Sequence, residues 1–479
     1  MLRSLISRRG APLTTALGLF GCLGCGGTAA TSLDRASAVS GPPTSDSGEP
    51  QPDAGTSAPS KADSAVPPTT SGGTAVTIQK QGSTFELLRG GQPYYIQGAG
   101  WNGGDTAEIA LAAQMGANSL RTWGIDGTTP GLLDTAQEAG MTVMLGIWLA
   151  QDAGSYTASY VSTTQAQIES WVNQFKGHGA TLFWALGNEI DPGATAAWQF
   201  VDQMAKWIHQ QDPNHPVGTV IAATGTEPIN DVIATASHLD FIGLNAYGAI
   251  GSVEPWVSAS NFNGPYISSE WGVNGDWEVQ NTSWGRPVEP TSAGKVTECE
   301  DHYTQGIAPN KARDLGSYVF LWGQKQEATP TWFSMFVESI PQLELAAQSC
   351  PTVDAMQYMW KGSWPANRAP NVTDMQINGQ QAADNVTLSP SQAINATVSA
   401  TDPDGDAITY SWEMLEEPAP TAPGATQARP PTVGSRVAGA ATPTLTTTAP
   451  PTGGQYRLFA YALDGKGHVG TANVPFLVQ

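Results

Sequence analysis

Short apolar runs alternate with helical patterns through the middle of the chain. Eight runs of four to seven residues are rich in aliphatic and aromatic residues, as is typical of buried strands. They are Tyr94–Gln97, Asn118–Trp123, Thr142–Trp148, Leu182–Leu186, Val217–Ala222, Phe241–Asn245, Pro265–Ser269 and Tyr318–Trp322. Helical spacing separates most of them, most clearly over Ala194–Gln211. A hairpin, Val76–Gln79 and Phe85–Arg89, precedes them.

Residues 75–366 are therefore predicted to form a (β/α)8 TIM barrel, which belongs to the α/β class. Strands that alternate with helices form parallel β-α units, and eight units in about 290 residues fit this barrel. A doubly wound sheet is the structural alternative.

The composition changes on both sides of the predicted barrel. Residues 26–74 are mostly Thr, Ser, Ala, Pro, Gly and Asp, with no aromatic residue, which predicts a disordered linker. Residues 367–479 alternate apolar and polar positions between Pro/Gly turns, without a helical period. This pattern predicts a small all-β sandwich of immunoglobulin-like type. Its predicted strands are Asn385–Leu388, Asn395–Ser399, Ile408–Glu413, Gln455–Leu463 and Ala472–Val478.

The charge of the chain limits its partners. The 479 residues include 42 acidic and 21 basic side chains, a formal net charge of −21. Binding to nucleic acid needs a basic surface, so this charge argues against nucleic acid as a partner. Residues 75–366 carry 28 acidic and 11 basic residues, so the surplus of acid lies on the predicted barrel.

The first 25 residues resemble an export signal. Three arginines precede an apolar run at 11–23 that is too short to span a bilayer. The run ends in Gly-Cys-Leu-Gly-Cys, which resembles a bacterial lipoprotein lipobox with Cys22 or Cys25 as the acylated residue. The chain is therefore expected to be exported and tethered to the cell envelope by an N-terminal lipid. The signal of a soluble secreted protein is the alternative.

The remaining cysteines, Cys299 and Cys350, form an even and distant pair. In an exported protein such a pair predicts one disulfide, and two free buried thiols are the alternative. The six histidines have no ligand spacing, so neither a metal nor a cofactor is expected. The turn at Asp402–Asp406 resembles the calcium-ligating turns of cadherin-like modules, but it also fits an ordinary tight turn.

Two glutamates directly follow predicted apolar strands, at the positions where a TIM barrel has its active site. Active sites of TIM barrels lie at the C-terminal ends of the strands. Strand four ends in Leu-Gly-Asn188-Glu189, and strand seven ends in Ser269-Glu270-Trp-Gly. A single glutamate at such a position is most often a solvated acid or an ion-pair partner. Two of them, on strands four and seven, indicate a pair of carboxyl groups at one barrel mouth.

These motifs resemble the catalytic motifs of glycoside hydrolase clan A, the retaining barrels with glutamates on strands four and seven. The resemblance covers about residues 76–366 and includes Arg121 after strand two, Tyr247 after strand six and Trp322 at the end of strand eight. The chain is loosely similar to the catalytic barrels of family 2. It is also loosely similar to the β-1,3-glucanosyltransferases over Phe241–Tyr247 and around Glu270.

The resemblance implies a role for each of these residues. Glu189 is expected to be the general acid/base and Glu270 the nucleophile, which requires one protonated and one ionised carboxyl group about 5–5.5 Å apart. Arg121 and Tyr247 would hold Glu270 ionised and oriented, and Asn188 would bind the sugar 2-hydroxyl. An ordinary buried ion pair is the alternative for Arg121, as loop capping is for Tyr247 and Asn188.

Tryptophan is abundant, with 16 residues, and several of them follow barrel strands. Because flat aromatic faces stack on sugar rings, Trp101, Trp148, Trp271 and Trp322 are predicted to bind substrate. Packing in the core is an equal alternative for any one of them.

The sequence thus predicts a retaining β-glycosidase that hydrolyses or transglycosylates a neutral β-linked polysaccharide or oligosaccharide, with a β-glucan as the expected substrate. The acidic barrel disfavours anionic sugars. The alternative is a surface carbohydrate-binding or adhesion protein without catalytic activity. Such a protein would keep an aromatic cleft, but it would not need both glutamates together with Arg121 and Tyr247.

Overall fold

A computed structural model describes residues 73–340, 343, 347–419 and 427–479. The predicted export signal, with Cys22 and Cys25, and the predicted linker up to residue 72 lie outside these residues. Within the described part of the chain, no helix combines the length and the apolar character needed to cross a membrane.

A small antiparallel sheet packs against the N-terminal end of the barrel. Its strands are β1 (Val76–Gln81), β2 (Thr84–Arg89) and β3 (Gln92–Pro93). The alternation of the hairpin places Val76 and Leu87 in one apolar cluster with side chains from inside the barrel, such as Phe183. The hairpin predicted from the sequence is therefore present, and it covers one end of the barrel core.

Eight parallel strands close into the barrel, and each pairs with its neighbour in chain order. They are β4 (Ile96–Gly100), β5 (Ser119–Arg121), β6 (Thr142–Ile147), β7 (Thr181–Asn188), β8 (Val217–Ala222), β9 (Phe241–Asn245), β10 (Tyr266–Trp271) and β11 (Asp314–Val319). The helices are α1 (Ala107–Met115), α2 (Thr129–Glu138), α3 (Ala158–Phe175), α4 (Thr195–Gln211), α5 (Thr226–Thr235), α6 (Val253–Ala259), α7 (Ser292–His302) and α8 (Pro351–Lys361). The predicted TIM barrel is confirmed.

The eighth barrel strand begins earlier than the sequence pattern predicts. It runs over Asp314–Val319, whereas the prediction was Tyr318–Trp322. The first residues of the strand include Asp314, which is fully buried and accepts a hydrogen bond from Ser268 Oγ at 2.7 Å. Burial raises the pKa of Asp314 to about 8, so this carboxyl group is largely protonated at neutral pH. A buried acid does not fit the apolar pattern of a strand, which explains the wrong boundary.

Residues from 371 onward form two sheets. The first contains β12 (Asn371–Ile377), β14 (Ala393–Thr401) and β17 (Thr444–Thr448). The second contains β13 (Thr387–Leu388), β15 (Thr409–Glu416), β16 (Val437–Ala440), β18 (Gly454–Leu463) and β19 (Val469–Val478). Alternating residues of both sheets, with Trp412 among them, form one apolar core. The all-β character of this part is confirmed, and its immunoglobulin-like type stays a prediction.

The turn at Asp402–Asp406 has the hydrogen bonds of a tight turn. Asp402 Oδ1 accepts from the backbone N–H groups of Asp404 and Asp406, at 2.9 and 3.0 Å. Carboxylate oxygens of Asp402, Asp406 and Asp464 also lie within 4.8 Å of one another. Lys466 Nζ contacts Asp406 Oδ1 at 2.6 Å, so an ammonium group already neutralises part of this cluster. The turn therefore has an internal explanation, and calcium binding stays a hypothesis.

A buried polar network joins the loop after β10 to the sandwich. Lys295 Nζ lies 2.5 Å from Glu289 Oε1, and Asn473 Nδ2 donates to Glu289 Oε2 at 2.6 Å. Thr331 Oγ1, from the loop after β11, also donates to Glu289, at 2.8 Å. Because a buried charge that loses its partner costs about 3–5 kcal/mol, this network ties two barrel loops firmly to the sandwich.

Candidate active site

A cavity of about 1210 Å³ opens at the C-terminal ends of the barrel strands. We call it the cleft. Its lining residues come from strand ends and the loops that follow them, as in other TIM barrels. They include Asn102, Trp123, Trp148, Gln151, Asn188, Glu189, Asn245, Tyr247, Trp256, Glu270, Trp277, Phe320, Lys325, Glu327 and Phe333. Both predicted glutamates therefore lie in one cavity.

Glu270 is held by three hydrogen-bond donors. Arg121 Nη1 and Trp123 Nε1 donate to Oε1 at 2.8 and 2.7 Å, and Tyr247 Oη donates to Oε2 at 2.8 Å. The residue is 7% exposed, so these donors replace most of its hydration. Burial, followed by the charge of Glu270, raises the pKa of Tyr247 well above its usual range, so Tyr247 stays protonated and donates. The Glu270 carboxyl group is thus held at both of its oxygens.

Arg121 connects the two strands that carry the glutamates. Its side chain is 1% exposed and also donates to Ser269 O at 2.7 Å and to Asn188 Oδ1 at 2.6 Å. The contact with Asn188 joins β5 to the end of β7, and the contacts with Ser269 and Glu270 join it to β10. Arg121 therefore fixes the relative positions of the residues beside both carboxyl groups.

Glu189 stands at a strained point of the backbone directly after β7. Its φ is +51°, in the left-handed region that non-glycine residues rarely adopt. Gly187, with φ +81°, belongs to the same turn. Only glycine fits there, because a Cβ at this position would lie 2.5 Å from Ile190 Cδ1. Such strain persists only where surrounding contacts hold it, and it is common at functional sites. The turn places the Glu189 side chain in the cleft.

Burial, followed by the negative charge of Glu270, raises the pKa of Glu189 above its usual range. The Asn245 amide opposes this shift, because its Nδ2 donates to Glu189 Oε1 at 2.9 Å. The two carboxyl groups of the cleft thus have different environments: Glu270 accepts from three donors, whereas burial and the charge of Glu270 raise the pKa of Glu189. This is the difference that a retaining glycosidase needs between its acid and its nucleophile.

Asn188 is oriented by its neighbours. Its Oδ1 accepts from Arg121 Nη2 at 2.6 Å and from Asn245 Nδ2 at 3.3 Å. With its oxygen turned toward these donors, the amide Nδ2 is the group available to a ligand in the cleft. The contact between Asn188 and a sugar hydroxyl stays a prediction.

The tryptophans predicted to bind substrate divide into two groups. Trp148 lines the cleft and is 53% exposed. Trp101, Trp271 and Trp322 do not line it, because all three are buried in the core of the barrel. Trp322 packs against Phe336 and donates from Nε1 to Glu108 O at 2.8 Å. The binding role predicted for these three residues is therefore wrong.

The error at Trp322 follows from the boundary of the eighth strand. Since β11 ends at Val319, Phe320 is the first residue beyond the strand, and it lines the cleft together with Phe333. Trp322 lies two residues further on, where its indole packs toward α1 and α8. The sequence pattern indicated an aromatic residue at this strand end but not which one faces the cleft.

Asn245 is a site residue that the sequence reasoning missed. It is the last residue of β9, and its Oδ1 accepts from Ser269 Oγ at 2.8 Å, so its Nδ2 points to Glu189. A polar residue at the end of an apolar strand was a usable signal, the same one that identified Glu189 and Glu270.

Cys299 and Cys350 are separate buried thiols in the structure. The predicted disulfide is therefore not formed in it. Burial raises the pKa of both thiols, that of Cys350 to about 12, so neither is a reactive thiolate at neutral pH. The alternative of two buried free thiols describes them correctly.

Residues 106–278 match the TIM-barrel domain of family 2 glycosyl hydrolases. The predicted resemblance to the clan A barrels is confirmed. The matched segment contains both cleft glutamates, together with Arg121, Asn245 and Tyr247. No curated protein matches the sequence of the chain.

Several solved structures also resemble the chain. They include a β-glucuronidase from an uncultured Clostridium species (15% identity, 60% of this chain and 54% of that chain covered, TM-score 0.44). Two others are a family 2 β-galacturonidase from Eisenbergiella tayi bound to galacturonate (14%, 60% and 54%, 0.45) and a β-D-glucuronidase from Dictyoglomus thermophilum (16%, 60% and 54%, 0.42). The chain thus spans about half the length of these proteins.

Proposed function

We propose that this protein is a retaining β-glycosidase that hydrolyses or transglycosylates a neutral β-linked polysaccharide. The observation that carries the proposal is the pair of cleft carboxyl groups with opposite environments. Glu270 receives three donors, and Glu189 has a raised pKa. The match to a family 2 barrel over residues 106–278 supports the same reaction class.

In the first step Glu270 attacks the anomeric carbon, and Glu189 gives its proton to the leaving oxygen. Formation of the glycosyl-enzyme removes the charge of Glu270. That charge contributes to the raised pKa of Glu189, so its loss lowers the pKa. Glu189 then releases its proton more readily and can act as a base in the next step. Water or a second sugar then releases the product, with Glu189 taking the proton of the acceptor.

The charges in the cleft favour a neutral substrate. Glu189, Glu270, Glu278 and Glu327 line it, and the ammonium of Lys325 is paired with Glu327 at 2.6 Å. A uronate carboxylate would lie close to these negative side chains, and the ammonium of Lys325 is already paired with one of them. Exposed Trp148 and Trp277 offer flat faces for uncharged sugar rings. We therefore propose a neutral glycan, with a β-glucan as the first candidate.

The test compares wild type and Glu270→Ala on aryl β-glycosides, laminarin-type and other β-glucans, and a matched aryl β-glucuronide. We expect turnover of neutral substrates by wild type only. Azide should restore activity to Glu270→Ala on an activated aryl glycoside and give a glycosyl azide of inverted configuration. Wild type that binds a β-glycan without turning over any substrate contradicts the proposal and favours a carbohydrate-binding protein. Preference for the glucuronide contradicts the neutral substrate.

We further propose that the protein is exported and anchored by an N-terminal lipid, from the resemblance of residues 1–25 to a lipoprotein signal. Incorporation of labelled fatty acid into the full chain, and its loss in either Cys22→Ala or Cys25→Ala, tests this proposal. Release of an unlabelled protein into the medium contradicts it.

A further inference from the structure

Glu270, the candidate nucleophile, accepts two hydrogen bonds at one carboxylate oxygen and one at the other. Oε1 of Glu270 accepts from Arg121 Nη1 and Trp123 Nε1, whereas Oε2 accepts from Tyr247 Oη. An ionised carboxylate has about four lone-pair positions, two on each oxygen. The two donors on Oε1 use both of its positions, and the one donor on Oε2 leaves a position open.

The indole of Trp123 is held in place from several sides. The guanidinium carbon of Arg121 lies 4.8 Å from its ring centroid, and the Phe320 ring packs perpendicular to it with the two centroids 5.6 Å apart. Gly100 makes room for the ring, because an added Cβ there would lie 2.6 Å from Trp123 Cη2. The N–H therefore meets Glu270 as part of a fixed arrangement, and the ring still borders the cleft.

We propose that Trp123 is a catalytic residue whose indole N–H, with Arg121, occupies Oε1 of Glu270 and thereby makes Oε2 the oxygen that attacks the anomeric carbon. This inference rests on the proposed glycosidase function. It adds to that function a named donor on the nucleophile and the identity of the attacking atom.

The first step needs only the substrate and the two glutamates. A lone pair of Oε2 forms the bond to the anomeric carbon, while the bond to the leaving oxygen breaks and its electron pair takes the proton of Glu189. Oε1 becomes the carbonyl oxygen of the resulting ester and keeps both N–H donors. In the second step the oxygen of water or of an acceptor sugar, which gives its proton to Glu189, bonds to the anomeric carbon. The bond to Oε2 breaks with its electron pair, and Trp123 and Arg121 stabilise the share of the charge that delocalises onto Oε1.

The test removes the N–H while keeping the ring. Trp123→Phe is the simple variant, and replacement of Trp123 by 3-benzothienylalanine keeps the shape of the indole without its donor. Trp207→Phe is the matched control, since Trp207 lies on α4 and packs against the core away from the cleft. All are made in the full chain, and thermal unfolding checks that each one folds.

We expect Trp123→Phe and the benzothienyl protein to lose about 10- to 100-fold in kcat/KM on an aryl β-glycoside, as for a hydrogen bond to a charged group. Trp207→Phe should match wild type. A 2-fluoroglycosyl-enzyme trapped for crystallography should show its ester on Oε2.

Two results would overturn the assignment while leaving the glycosidase function intact. One is a benzothienyl protein with the activity of wild type. The other is a trapped ester on Oε1. A wild type with no turnover of any β-glycoside overturns the proposed function, and this assignment falls with it.

Discussion

Replacing Asn245 by alanine should move the basic limb of the pH–activity profile to higher pH. Asn245 Nδ2 donates to Glu189 Oε1 at 2.9 Å, which stabilises the charged form of the carboxyl group and opposes its raised pKa. Without the donor, Glu189 should hold its proton to higher pH. The acid form of the enzyme, which protonates the leaving group, should then persist further into the basic range.

The hydrogen bond between Asn245 and Glu189 sets the expected size of the shift in the basic limb. A hydrogen bond to a charged group contributes about 1.5–3 kcal/mol, and one pH unit corresponds to about 1.4 kcal/mol. Complete loss would therefore move the limb by about 1–2 units. Glu189 is only partly buried at the wall of the cleft, so water replaces part of the lost donor. We expect a shift of about half a unit to one unit.

The assay is kcat/KM against pH for the full chain, on a β-glycoside whose leaving group needs protonation. Ser269→Ala is the matched variant: it removes the donor to Asn245 Oδ1, which orients the amide, and should give a smaller shift in the same direction. A dinitrophenyl glycoside, which leaves without protonation, should show little change at the basic limb. A limb that stays in place or moves to lower pH in Asn245→Ala would refute the reasoning.

Two more expectations concern other parts of the molecule. Trp148→Ala should raise KM for oligosaccharides about 2- to 10-fold, because a half-exposed ring at the cleft wall is lost. Turnover of small aryl glycosides should stay unchanged. Equal losses on both kinds of substrate would contradict this expectation. Asp314 has a pKa of about 8 in the folded protein, above its unfolded value, so stability should fall as pH rises from about 4 to 8. Asp314→Asn, which cannot titrate there, should show a flatter denaturant-unfolding profile over that range, and profiles parallel to wild type would contradict the assignment.

The sequence by itself determined the barrel and the two glutamates. Val217–Ala222 and Phe241–Asn245 form strands at the predicted bounds, because strands buried on both faces are short apolar runs that need no distant information. Parallel strands in a closed barrel bring their C-terminal ends to one mouth, so Glu189 and Glu270 meet there by topology alone.

The tertiary structure decided which neighbours surround these glutamates. Trp123 and Trp148 face the cleft while Trp271 and Trp322 are buried, although all four follow or end barrel strands. A tryptophan suits either place, since its ring is apolar and its N–H needs only one acceptor. Whether that acceptor is a backbone carbonyl, as for Trp322, or Glu270, as for Trp123, depends on how loops from distant parts of the chain pack. Strand patterns locate the reacting groups, but side-chain packing selects their partners.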